Sequence, residues 1–252
     1  MKNNGKSHSD QLFYFLVYLI AVIAFVITLY PFLYIIAVSL SGAQAVYQGK
    51  VFLFPVDFNI DGYKHVLSQK GLWGAYGNTL FYVTVGTAFN LVATTMAAYP
   101  LSRKNFLGRR FFNFFIAFTM YFSGGLIPTY LLITKLGLYN SRWVMILPAL
   151  LSTYNVMVCR SAFSAIPDEL MESANDWQIF YTIAVRLITP TLAVLTLYYA
   201  VGHWNEFFQA LLYISDEKLI PVQVLLRRIL IQSSSELLGS GVAADDKAAV
   251  SV

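Results

Sequence analysis

Apolar runs separated by short polar stretches make up most of the chain. The first run, Leu12 to Leu40, contains no charged residue and follows a polar start carrying Lys2 and Lys6. A signal-peptide core spans ~7–15 residues. This run is about twice that length and has no small-residue cleavage site, so it reads as a retained transmembrane helix. Pro31 lies in its interior and is expected to kink it. Further runs cover about 76–101, 111–132, 143–163 and 183–213. The pattern predicts an all-α polytopic membrane protein with about five transmembrane helices inside residues 12–213. The second run is rich in small residues (Gly86, Ala88, Ala93, Ala97, Ala98), which let helices approach closely in lipid. Gly124, Gly125 and Pro128 predict a break in the third run. Pro148 lies inside the fourth run and Pro190 early in the fifth.

The polar stretches complete the outline. Residues 41–75 read as a solvent-side connection with a short surface helix near Asp61 to Ser68. Residues 164–182 are polar and acidic. Leu219 to Gln232 is apolar but carries Arg227 and Arg228. At the bilayer centre each arginine would cost ~2.5–3.5 kcal/mol, so an amphipathic surface helix is expected there. Residues 233–252 are Ser-, Gly- and Ala-rich and read as poorly ordered. Arg103, Lys104, Arg109 and Arg110 form a basic loop without acidic residues. Such a loop stays cytoplasmic. Alternation then places residues 1–11 and 164–182 in the cytoplasm, and 41–75, 133–142 and 214–252 outside.

Composition agrees with this outline. The 252 residues are 58% hydrophobic and only 12% charged, against about a quarter charged in soluble domains. The mean hydropathy is +0.61. The net charge of +4 comes from basic residues lying between apolar runs. Membrane orientation explains it better than nucleic-acid binding, which needs a basic exposed face. The single cysteine, Cys159, excludes an internal disulfide and reads as a small buried thiol. No phosphate-cradling G-x-x-x-x-G-K-[ST], no G-x-S-x-G and no H-E-x-x-H occurs. The chain is therefore expected to be a non-enzyme without a metal or cofactor of its own.

Two stretches carry candidate chemistry. His203 and Glu206 sit one turn apart near the end of the fifth run, beside Trp204 and Asn205. They read either as an interfacial polar cluster or as the lining of a polar pathway. In the segment after the fourth run, Pro167, Asp168 and Glu169 suit the first turn of a helix. Glu169, Glu172, Ser173 and Asp176 can then share one face. That face is a candidate docking surface.

The segment Ile166-Pro167-x-Glu169-Leu170-x-Glu172-Ser173-Ala174, then Asn175-Asp176-Trp177-Gln178-Ile179-Phe180, Ile183 and Pro190, resembles the cytoplasmic "EAA" loop of bacterial ATP-binding-cassette (ABC) importer permeases. It looks most like the carbohydrate permeases of the maltose-transporter type. Further matches follow in order: Tyr121 to Tyr130, Leu136-Gly137-Leu138, Met145 to Pro148, Ser152 to Asn155 and Val201 to Asn205. The resemblance covers most of residues 12–240. It implies a permease-like helical bundle in the bacterial plasma membrane, in contact with lipid and carrying sugars or oligosaccharides. The implied partners are a second permease subunit, cytoplasmic ATPase subunits that use the ATP, and an extracellular solute-binding protein. Glu169, Glu172, Ser173, Ala174, Asn175, Asp176 and Phe180 would form the ATPase-docking loop. Phe180 and Ile183 would anchor the helix that follows. Tyr154, Asn155, Trp204, Asn205 and Glu206 have the aromatic, amide and carboxylate chemistry of a sugar path.

The sequence departs from the family pattern in three places. About five residues, including an Asp-Gly, are absent between Ala174 and Asn175. Arg186 stands where the family has proline. The family's sixth span has no counterpart after Tyr213. These departures keep two alternatives open: a shortened, non-transporting relative, and an ABC permease for a non-sugar solute.

Overall fold

The computed structural model describes residues 8–167 and 176–232. The chain divides into two compact units, Met1–Lys70 and Gly71–Val252. The expected loose tail 233–252, and Glu169, Glu172, Ser173, Ala174 and Asn175, lie outside the described residues.

In the first unit, α1 (His8–Ser39) holds a 29-residue apolar stretch, Gln11–Ser39, whose most apolar window is wholly unburied. A helix that is apolar all round and uncovered by protein matches a lipid environment. Pro31 is accommodated inside it. The connection after α1 folds back on its end. Val56 N donates to Ser41 Oγ and Asn59 N to Leu40 O. Ala37, Ala45 and Val51 are buried together. Two short helices follow, α2 (Ala43–Tyr47) and α3 (Asp61–Leu67). The second is the surface helix expected near Asp61.

The second unit is built around α4 (Leu72–Ser102), a 31-residue helix long and apolar enough to cross a membrane. Its buried positions include Asn78, Tyr82, Gly86, Asn90, Thr94, Ala98 and Ser102, one every four residues. Leu80, Phe89, Val92 and Met96 on the other sides are exposed. A helix with its polar and small residues inside and its large apolar ones outside is inverted relative to a soluble protein. That is the arrangement a lipid solvent favours, since apolar side chains gain nothing from leaving lipid whereas polar groups need partners. Every-fourth-residue positions form one of the ridges of a helix surface, and along this ridge α4 packs on α7 (Thr153–Ser164) and α10 (Thr189–Asn205).

The third expected span is a bent pair, α5 (Arg109–Tyr121) and α6 (Leu126–Lys135), meeting at 114°. The break falls at residues 122–125, where Gly125 takes φ +83°. It is the break that Gly124, Gly125 and Pro128 predict. The fifth run is also bent. The short helix α8 (Asp176–Ile179), a π-helical turn Phe180–Ala184 and α9 (Val185–Leu187) meet α10 at 75°. Ile188 is the hinge and Pro190 lies in the first turn of α10. The short α11 (Phe208–Tyr213) follows.

The expected continuous helix over 143–163 is not formed. Residues 142–145 make a 3-10 turn (Arg142–Met145), residues 146–152 are irregular, and only α7 is helical. Pro148 cannot donate to the helical ladder. Ser152 restarts the helix by accepting from Asn155 N with its hydroxyl. The expected surface helix near the end is α12, over 222–232. Its start is held on α4: Val222 N donates to Thr79 Oγ1 at 2.8 Å, Tyr82 OH to Leu219 O at 2.7 Å, and Asn78 Nδ2 to Lys218 O at 2.7 Å. Arg227 lies over the Phe207 ring and Arg228 pairs with Glu217. All described regular structure is helical.

Candidate functional site

Irregular backbone at membrane depth is tolerated only where protein groups satisfy it or where it lines a cavity. The stretch 146–152 meets both conditions. Asn90 Nδ2 donates to Ala149 O at 2.6 Å and to Leu150 O at 2.9 Å. Its Oδ1 can only accept, so His203 Nε2 donates to it, at 2.7 Å. Ser152 N donates to Tyr199 OH at 3.3 Å, and that hydroxyl also bonds Thr94 Oγ1 at 2.7 Å. Asn90 and Thr94 are fully buried and His203 is nearly so. The polar ridge of α4 thus serves as a template that holds the unwound stretch open. Gly86 makes this possible: a Cβ there would lie 2.5 Å from His203 Nε2.

Beside the unwound stretch is a cavity of about 250 Å³. Ser152, Asn155, Tyr199, His203, Glu206 and Gln209 give it hydroxyl, amide, imidazole and carboxylate groups. Gln209 Oε1 is buried without a hydrogen-bond partner. Glu206 Oε1 accepts from Gln209 N at 3.0 Å across the break between α10 and α11. Such a lining can bind a neutral, hydroxyl-rich solute through several hydrogen bonds at once.

Of the residues expected in a sugar path, the structure brings Asn155 and Glu206 together in this cavity. Tyr154 is exposed outside it. Trp204 leans on Tyr76, with ring centroids 6.4 Å apart, and Asn205 Nδ2 donates to Val201 O of its own helix. Sequence reasoning missed Gln209, Ser152, Tyr199 and Asn90. For Asn90 a signal was present, an amide in an otherwise apolar run.

The segment expected to dock an ATPase has described residues only at its roots. Ile166 on one side and Phe180 on the other enter the same core as Ala98, Leu101, Val156, Cys159 and Phe163. Phe180 sits 5.0 Å from the Tyr99 ring and 6.3 Å from the Phe163 ring, centroid to centroid. Arg103 caps this aromatic group, 4.9 Å above Tyr99, and its Nη2 donates to Phe163 O. Cys159 is fully buried. Ile183 is half-buried and Arg186 is exposed.

Residues 90–244, more than half of the chain, match the family model described as "Binding-protein-dependent transport system inner membrane component". The chain belongs to that family and is a membrane permease component of an ABC transport system. It is similar to the polygalacturonan/rhamnogalacturonan transport system permease protein YtcP of Bacillus subtilis (strain 168). The two are 37% identical over 230 residues, covering 89% of this chain and 80% of the relative. Protein LplC of the same organism is 41% identical over 212 residues, 82% of this chain and 72% of its own length. Among solved structures, a chain of a bacterial ABC transporter involved in the import of the acidic polysaccharide alginate aligns with a TM-score of 0.86 and 35% identity. The alignment covers 94% of this chain and 89% of that one.

Proposed function

We propose that this chain is a permease subunit of a plasma-membrane importer for oligosaccharides. In this reading it lines the path with a second permease chain, and a solute-binding protein outside the cell delivers the sugar. A separate ATPase docks on the segment containing Glu169, Glu172, Ser173, Ala174, Asn175 and Asp176 and supplies the energy of ATP. The basic loop at 103–110 faces the cytoplasm, and so does the N-terminus. The observation that carries the substrate class is the polar cavity of Asn155, His203, Glu206 and Gln209 at the unwound stretch, where hydroxyl-rich solutes find partners and ions find no countercharge cluster. The polygalacturonan/rhamnogalacturonan named for YtcP and the alginate named for the aligned structure support a sugar as solute, and both of those sugars are acidic rather than neutral.

Uptake of labelled oligosaccharides by cells carrying the chain as sole copy, with its partner subunits, tests the reading. Glu206→Gln and Gln209→Ala are expected to lower uptake about tenfold at subsaturating solute, the effect of one lost hydrogen bond in a dry site. Unchanged uptake in both variants would remove the cavity from the path. For the docking segment, Glu172→Arg is expected to lose the ATPase on affinity purification from detergent-solubilised membranes. Recovery of the ATPase at wild-type yield would show that it docks elsewhere.

A further inference from the structure

The hydrogen bonds around the unwound stretch decide which groups its cavity of about 250 Å³ offers to a solute. Asn90 Nδ2 gives its protons to Ala149 O and Leu150 O, so Asn90 Oδ1 takes the Nε2 proton of His203. In the neutral ring this leaves Nδ1, which has no partner among the described residues, as an acceptor. Gln209 Oε1 is a second acceptor, buried and unpartnered. Glu206 supplies a third. Its Oε1 accepts from Gln209 N, and its other oxygen has no partner among the described residues. Donors are present as well. Ser152 Oγ accepts from Asn155 N and keeps its own proton free, and the side-chain amide of Asn155 makes no hydrogen bond among the described residues.

This lining is matched by a group that donates and accepts at once. A sugar hydroxyl does both, whereas a carboxylate only accepts. A carboxylate also meets charge. No lysine or arginine is among the described residues that line the cavity. The ion pairs among the described residues, Lys64–Asp61 and Arg228–Glu217, leave Glu206 out. Arg227 lies over the Phe207 ring and is not part of the lining. A carboxylate without a cation beside it repels a second one at close range, and strongly so where water is scarce. Hexoses and hexuronates differ at one carbon, C6, which bears a hydroxyl in the first and is the carboxylate in the second. That one group separates a neutral sugar from the acidic sugars named for YtcP and for the alginate importer.

On the basis of the oligosaccharide reading, we infer that this chain's side of the path takes neutral hexose units and excludes uronate units, with Glu206 as the residue that sets the choice. A hexose hydroxyl donates to the free oxygen of Glu206 and to Gln209 Oε1, and accepts from Ser152 or Asn155. The chain thus differs in the charge of its solute from the two acidic polymers, although its backbone resembles that of the alginate importer closely.

Equilibrium dialysis of the assembled permease–ATPase complex in detergent tests this. The probes are labelled trimers that differ only at C6: glucose against glucuronate, galactose against galacturonate, mannose against mannuronate. The solute-binding protein is left out, so its own selectivity does not enter, and a pH of about 8 keeps imidazole neutral. In at least one pair the neutral trimer is expected to bind at least about tenfold more tightly than its uronate counterpart. Glu206→Gln keeps an oxygen for Gln209 N and removes the charge. It should bind that uronate trimer more tightly than the natural chain does and bring the pair within about threefold. Gln209→Ala keeps the charge and should weaken both members while leaving their ratio unchanged. Weakening of both members by Glu206→Gln, with the ratio unchanged, would give Glu206 a structural role and overturn the inference. Uronate binding by the natural chain as tight as neutral binding would also overturn it, and would leave the oligosaccharide reading standing. Binding of no trimer to the natural chain would overturn the oligosaccharide reading itself, and this inference with it.

Discussion

Replacing Gly86 by valine is expected to lower the thermal midpoint of the solubilised protein by several degrees and to abolish uptake. The position has no room: even a Cβ would lie 2.5 Å from Nε2, 2.8 Å from Cε1 and 2.9 Å from Cδ2 of His203. The imidazole would have to retreat and give up its 2.7 Å bond to Asn90 Oδ1. Asn90 in turn holds Ala149 O and Leu150 O. Overpacking costs ~1–3 kcal/mol. Each intramembrane hydrogen bond lost adds ~0.6 kcal/mol on average. Loss of function should exceed loss of stability, because the displaced groups shape the cavity of Glu206 and Gln209. The milder Gly86→Ala gives the decisive measurement. Combined with His203→Ala, it is expected to be less damaging than the two single changes added together, since removing the ring vacates the space. Strict additivity of the two changes in thermal unfolding would show that the contact does not constrain the helix pair.

Replacing Phe180 by alanine is expected to destabilise the second unit by about 3–5 kcal/mol, the range for a buried aromatic. The ring is 4% exposed and meets Tyr99, Phe163 and Tyr181. Denaturation in detergent reads this directly. Phe180→Leu keeps most of the volume and should cost far less. A second measurement separates anchoring from bulk stability. If Phe180 roots the docking segment, reconstituted complexes of the alanine variant, assayed below their melting temperature, should keep ATPase activity while solute uptake falls further. Parallel loss of both activities would assign Phe180 to stability alone.

Much of the architecture was legible along the chain. The apolar runs at 12–40 and 76–101 correspond to α1 and α4, and the Gly124-Gly125 break is where α5 and α6 part. These features are local. A charge-free apolar run has one stable backbone form in lipid, the hydrogen-bonded helix, and a glycine pair near a proline marks where it fails. The run 143–163 shows where this reasoning stops. Pro148 announced a weak point, but a proline inside an apolar run is equally compatible with a kinked helix. The choice of an unwound stretch was made by Asn90 and Tyr199, which lie 59 and 47 residues away from the backbone groups they satisfy.

The same division holds for the candidate site. His203 and Glu206 were visible as neighbours one turn apart, and the structure keeps them together. Trp204 and Asn205, between them in sequence, point elsewhere because successive helical residues are turned by about 100°. Gln209 faces the cavity only because the chain breaks after Asn205 and restarts at Phe208.

By itself, then, the sequence determined that the chain is helical, membrane-embedded and related to ABC importer permeases. Its apolar runs and its loop motif are read over short distances, where lipid and the backbone ladder leave few choices. Tertiary structure alone decided which polar groups meet. The four-residue ridge of α4 was written in the chain as Asn78, Tyr82, Gly86, Asn90, Thr94 and Ala98. Its meaning depended on the partners that folding delivered to it: the carbonyls of 149–150, the hydroxyl of Tyr199, the ring of His203 and the backbone of 218–222. Hydrogen bonds between segments 50 to 140 residues apart leave no periodic trace in either segment, and in a low-dielectric interior they fix where the helix must open.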